Sequence, residues 1–179
     1  MINFVDIRNE AVSQIKKAIA NEKIYIEPHP GRFSEIEIRQ AAQRTPAVLT
    51  SILQIRKEQN TIDFVSWVLY RANNKDMLYD GALKLVNALI PVIGNLDAEW
   101  SIDIPSGITA ECLFSGQLDV MNVTLWAVRW SWEVLPSVFE NGEGGIPLGE
   151  LDIFEGYDAE HEIGNNAVSD CVTINKKGE

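Results

Sequence analysis

The stretch LWAVRWSWEV, Leu125–Val134, places three of the chain's five tryptophans within ten positions. Read with the two-residue alternation of a strand, Trp126, Val128, Trp130, Trp132 and Val134 share one face. Leu125, Ala127, Arg129, Ser131 and Glu133 share the other. With helical periodicity the same residues scatter around the cylinder, so the segment is expected to be a strand with one heavily aromatic face. That face meets either a core or another molecule, since aromatic residues dominate both settings. We expect core for Trp126 and Trp130. For Trp132, nearer the strand end, core and interface both stay open.

The segments around it supply the rest of a sheet and its cover. Upstream, PAVLTSILQIR (Pro46–Arg56) and IDFVSWVLYRA (Ile62–Ala72) are apolar, β-branched runs joined by KEQNT, a hairpin pattern with a polar loop. In the second run both faces are largely apolar, so that strand is expected to sit centrally with cover on both sides, or to lie under a helix on one face and at a partner surface on the other. From Asp6, Ile7, Ala11, Ile15, Ala18 and Ile19 form the apolar stripe of an amphipathic helix. KIYIEP reads as a short strand halted by Pro28. Ser34 and Glu37 form a capping-box pair opening a short helix to about Arg44, where Pro46 disfavours helical geometry in Thr45. A second long helix is expected after an N-cap at Asn73 or Asn74, with Leu78, Ala82, Leu85, Val86 and Leu89 inward and Pro91 and Gly94 at its end. WSIDIPSGITAECLFSG, which alternates weakly and contains Pro105 and Gly107, suits an edge strand or an irregular one, and QLDVMN a turn-like connector. The fold expected is α+β: an antiparallel sheet of four to five strands packed by two main helices, over residues 1–135.

After Pro136 the composition changes. Residues 136–179 are rich in Gly, Asn, Asp and Glu, and their ten acids stand against only Lys176 and Lys177. Eight of the chain's eleven net negative charges therefore fall in the last quarter, which reads as an acidic extended arm. Its short apolar islands could dock on a neighbour. Candidate interface residues are thus Trp132 on the aromatic strand and Leu151, Ile153, Phe154 and Tyr157 in the arm.

Catalytic templates find little purchase. GEGG lacks the Lys-Ser/Thr of a phosphate loop, and no serine sits in a nucleophile elbow. Only His29 and His161 are present, and His29, between two prolines in a turn, is expected to be structural. Asp152, Glu155, Asp158, Glu160, His161 and Glu162 offer oxygen ligands, but their spacing does not match a calcium loop and reads as a solvated acidic face. Cys112 and Cys171 lack metal-ligand spacing, and Cys112 is expected to be buried. No cofactor or metal is expected. The acidic balance disfavours nucleic-acid binding, and beside the aromatic face only Arg129 offers positive charge for stacked bases. No apolar run is long enough for a membrane helix, and MINFVDIRNE lacks the basic start and apolar stretch of a signal peptide, so a cytosolic product is expected.

Four segments in order carry a resemblance. They are IYIEPHPGRFSEIEIRQAAQRTPAVLTSIL with its PHPG turn, FVSWVLYRANN, LYDGALKLVNALIP, and LFSGQLDVMNVTLWAVRWSWEV. Together, over about Ile24 to Val134, they resemble the tail-terminator proteins of Mu-like phages and prophages. The resemblance implies a small α+β virion subunit without catalytic residues, assembled as a ring, a hexamer by family habit, at the head-proximal end of a contractile tail. Such a ring ends tube polymerisation and meets the tail tube and sheath proteins and the head-tail connector, while DNA passes through without specific binding. It implies location in the virion tail, and in host cytoplasm during assembly. A monomeric tail assembly chaperone or adaptor is the competing reading. An enzyme would need a pocket with convergent polar groups.

Overall fold

The computed structural model describes residues 3–31, 35–113, 118, 120–140, 156–163 and 166–173; at 35, 36 and 38 and in the last two segments it describes backbone alone. The chain divides into two compact units, Met1–Asn141 and Gly142–Glu179. In the first, the order is α1 (Phe4–Ile19), β1 (Tyr25–Pro28), α2 (Glu35–Ala42), β2 (Ala47–Arg56), a 3-10 turn (Lys57–Gln59), β3 (Thr61–Arg71), α3 (Lys75–Ile93), β4 (Ser106–Leu113), β5 (Val123–Glu133) and the short α4 (Ser137–Glu140). The second contains the hairpin β6 (Gly156–Ile163) and β7 (Asn166–Thr173). The architecture is α+β.

The sheet order is β1-β2-β3-β5-β4, which puts β3 in the centre and β4 at an edge, as the residue patterns imply. One expectation is corrected: the sheet is mixed, because β1 runs parallel to β2. The physical reason is the intervening α2, a crossover that returns the chain in the same direction, whereas the short Lys57–Gln59 turn reverses it and makes β2–β3 antiparallel.

Each long helix carries its own start signal. Asn3 accepts from the Asp6 amide at 2.9 Å while the Asp6 carboxylate accepts from the Asn3 amide, so α1 begins at Phe4, two residues before the apolar stripe suggests. Its buried residues are Ile7, Ala11, Val12 and Ile15; Val12, not Ala18, completes the stripe, and Ala18 is exposed. Asn74 caps α3, whose inward residues are those the spacing picks out, joined by Ile93. That helix continues through Pro91 and ends at Ile93, with Gly94 as its cap. Ser34 lies outside the described residues, and α2 ends two residues before Arg44.

Two layers of side chains cover the sheet. On one face, α1 and α3 bury Val48, Ile62, Phe64, Val68, Val128, Trp130, Trp132 and Val134. On the other, Ala41 and Ala42 of α2, with Leu118, bury Ala47, Leu49, Leu69, Val123 and Leu125. The connector QLDVMN therefore does more than turn: Leu118 is 3 % exposed and its carbonyl accepts from the Met121 amide.

Two further expectations fail. Cys112 is exposed, because β4 is an edge strand that no helix covers. The body also runs past Pro136, since Val138 and Phe139 of α4 pack against the main core and the Phe139 ring lies 6.0 Å from that of Phe4. In the second unit, what reads as extended arm includes the antiparallel β6–β7 pair.

Candidate functional site

Three indoles converge under the helices. Trp130 stacks on Phe64 at 4.2 Å between ring centroids and 5° between planes, and Trp132 meets Trp100 edge-on at 4.4 Å. β3–β5 register explains the first contact, since Phe64 and Trp130 are direct cross-strand partners. Trp100 reaches the second from the segment after α3. Such ring pairs contribute about 0.5–1.5 kcal/mol each beyond simple burial.

Their polar tips are satisfied without water. Trp130 Nε1 donates to Ser66 Oγ at 3.3 Å, and Ser66 shares a hydrogen bond with Thr50 across β2–β3 at 2.9 Å. Trp132 Nε1 donates to the Asp103 carbonyl at 2.8 Å, and Trp100 Nε1 to Glu10 Oε2 of α1 at 2.6 Å. Gln14, one turn further along α1, donates to the Asp97 carbonyl and accepts from the Asp97 amide. The aromatic cluster thereby ties α1, β3, β5 and the 95–104 segment into one body.

Placement of the candidate interface residues follows. Trp132 is 0 % exposed, so the choice left open at that position resolves to the subunit's own core, and the residue is withdrawn as an interface candidate. Trp130 is core as expected. Trp126, at the other end of the face, is only partly buried and packs at the margin of the cluster. Leu151, Ile153 and Phe154 lie outside the described residues, as do Asp152 and Glu155. Tyr157 is in β6 with Val172 as its register partner, and the same strand carries Asp158, Glu160, His161 and Glu162. Among the described side chains, no group of three or more His, Cys, Asp or Glu is placed to hold a metal.

His29 behaves as a turn residue. Its amide donates to the Thr50 carbonyl at 2.8 Å, extending the β1–β2 ladder, and its Nδ1 accepts from the Gly31 amide at 3.1 Å. Gly31 has φ +108°, a conformation that favours glycine. Burial lowers the imidazole pKa, opposed by the Glu37 carboxylate and aided by Arg8. Burial thus disfavours the charged ring, in keeping with an Nδ1 that accepts from Gly31. A shallow cleft of about 190 Å³ beside it is lined by Tyr25, Glu37, Arg44 and Leu49.

Residues that the sequence reading passed over are the exposed apolar ones. Ile102 and Ile104 are about half exposed and Leu135 is 39 % exposed. Backbone bonds from Ile102 N–H to the Glu133 carbonyl and from Leu135 N–H to the Trp100 carbonyl bring them to one end of the sheet. Met77, Tyr79 and Leu83 are exposed on α3. The signal for the first group was present in SIDIP, whose isoleucines alternate ahead of Pro105. Val5, Leu53, Ile55 and Val120 are exposed elsewhere, and exposed pairs such as Arg129–Glu111 at 2.6 Å and Lys16–Glu27 at 3.1 Å contribute little to stability.

No helix among the described residues is long and apolar enough to cross a membrane. The chain matches no protein-family model and no curated protein. What the geometry offers is surfaces: a rigid body with apolar residues at one sheet end and along α3, and an uncovered edge strand.

Proposed function

We propose that this chain is a non-catalytic structural protein of a phage tail, forming a ring at the head-proximal end of a contractile tail that ends tube polymerisation and joins the tail to the head connector. The observation that carries the reading is the ordered set of four segments resembling Mu-like tail terminators. They run over β1–α2–β2, β3, α3 and β5, and so take in four of the five strands of the sheet, reaching β4 only at Leu113. An α+β body with helices packed on a sheet is the architecture that resemblance implies.

Charge gives the reading a physical use. A chain with eleven net negative charges repels phosphate, so a ring of such chains lets DNA slide past without sticking. The second unit, with the islands at Leu151, Ile153, Phe154 and Tyr157, is then the attachment to tube, sheath or connector proteins. Short islands between glycines order where a partner buries them.

Particles assembled without this chain test the reading. Overlong tubes lacking heads, rescued by the purified chain bound at one tube end, are the expected result. Normal tube length, or a chain that acts in assembly yet is missing from finished particles, would replace the ring with the assembly-chaperone reading. Ending the chain at Asn141 should leave a folded body that joins poorly; normal joining would remove the attachment role of the second unit.

A further inference from the structure

The two edges of the sheet are built differently. At the β1 edge, Pro28 and Pro30 remove amide donors, and the last ladder bond runs from His29 to Thr50. Beyond it, β2 carries an irregularity between Ile52 and Gln54. Prolines and bulges are the usual devices that keep an edge from pairing with another chain.

β4 lacks them where it is regular. Its irregular part ends at Thr109, and Thr109 to Leu113 pair in unbroken register with Arg129 to Leu125 on the inner side. On the outer side no described residue pairs with it, and Thr109, Ala110, Glu111 and Cys112 are all exposed. The strand is also two-faced. Ala110 and Cys112 lie opposite Val128 and Trp126, on the helix side, with Ile108 part-buried there against the core. Thr109 and Glu111 lie on the opposite side, where Glu111 is already neutralised by Arg129.

This pattern is complementary to itself. Laid antiparallel on a second β4 with Ala110 at the centre, Ile108 meets Cys112 on the helix side and Thr109 meets Glu111 on the other. Centring on Glu111 would set two carboxylates directly opposite, which is destabilising. Centring on Thr109 would draw in Gly107, whose φ of +63° breaks the regular strand.

We propose that β4 pairs antiparallel with β4 of a second copy of this chain, about a two-fold axis at Ala110, with the helices of both copies on the same side of one continuous sheet. The contact is isologous and closes at two copies. It is not a contact of the proposed ring, whose neighbours meet head to tail, and it rests on the edge alone.

Sedimentation of the full chain over a concentration series tests it. Mass should rise from one copy towards two, and Ala110→Lys, which sets two ammonium groups face to face, should move the midpoint to a concentration higher by about fivefold or more. Circular dichroism of that variant should be unchanged. In a Cys112→Ser, Cys171→Ser background, Ala110→Cys should crosslink copies under mild oxidation much faster than Asp80→Cys, an exposed collision control on α3. A chain that stays single at every concentration overturns the proposal. So does an oligomer of any size that Ala110→Lys leaves unaffected, or equal crosslinking at positions 110 and 80.

Discussion

The helix-covered middle of the sheet and its β4 margin share one alternation of residues but have opposite fates. On β5, Trp130 and Trp132 point beneath α1 and α3 and lose all but 1 % and 0 % of their exposure. One strand further out, Ala110 and Cys112 occupy the same face of the same sheet and are exposed. Trp126, their neighbour on β5, is intermediate, and among the described residues its indole N–H is buried without a hydrogen-bond partner. Alternation therefore says that a face is apolar, and the reach of the helix layer decides which part of it becomes core.

The largest effect is expected from breaking the covered side. Trp130→Ala removes the ring stacked on Phe64 and the bond to Ser66, and should cost about 3–5 kcal/mol in chemical unfolding. A folded variant of near-normal stability would mean that the aromatic stripe is less tightly packed than its geometry states. Next comes Gly81 of α3, where an added Cβ would lie 2.3 Å from Tyr70 Cε1. Gly81→Ala should cost about 1–3 kcal/mol through overpacking. In a Tyr70→Ala background the same change should turn stabilising by about 0.5–1 kcal/mol, the ordinary helix preference for alanine. A cost that persists there would locate the strain elsewhere.

Smaller again is the helix cap. Asn3→Ala removes the acceptor for the Asp6 amide and should cost about 1 kcal/mol by thermal or urea unfolding. His29 adds a pH dependence. Its pKa is lowered in the folded state, so the unfolded chain binds the proton more readily, and its contribution is whole above the ordinary value of 6.5. Below that value stability should fall until the folded ring protonates. His29→Asn, which keeps a side-chain acceptor, should flatten that fall. An unchanged pH profile would assign the dependence to other groups. On the uncovered side, Cys112→Ser should alter unfolding by less than about 0.5 kcal/mol, and Cys112 should react readily with a thiol reagent in the native chain.

Much of this body was legible from residue order because its signals are local. The β2–β3 hairpin, the central place of β3 and the inward stripe of α3 follow from alternation, spacing and Asn74, and Pro105 and Gly107 mark β4 as an edge or irregular strand. What was not legible depends on parts of the chain that meet only in the fold. Parallel β1–β2 pairing is set by the α2 crossover. Cys112 looks like a small core residue until the sheet order puts it at an edge. Val138 and Phe139 follow the composition break at Pro136, yet they belong to the body because Phe4 and the core receive them. Trp132 could not be assigned from its own strand, since the groups that enclose it, Trp100 and the Asp103 carbonyl, come from the segment after α3.

The central claim is that the tryptophan stripe is the chain's own core, and the proposed contacts between copies use other surfaces. Intrinsic fluorescence of the full chain during dilution tests it most directly, because all five tryptophans lie in the Met1–Asn141 unit. The account predicts a blue-shifted emission maximum that stays constant as sedimentation shows any oligomer separating into single copies. A red shift tracking that separation would contradict it, by placing the indoles at a contact between copies.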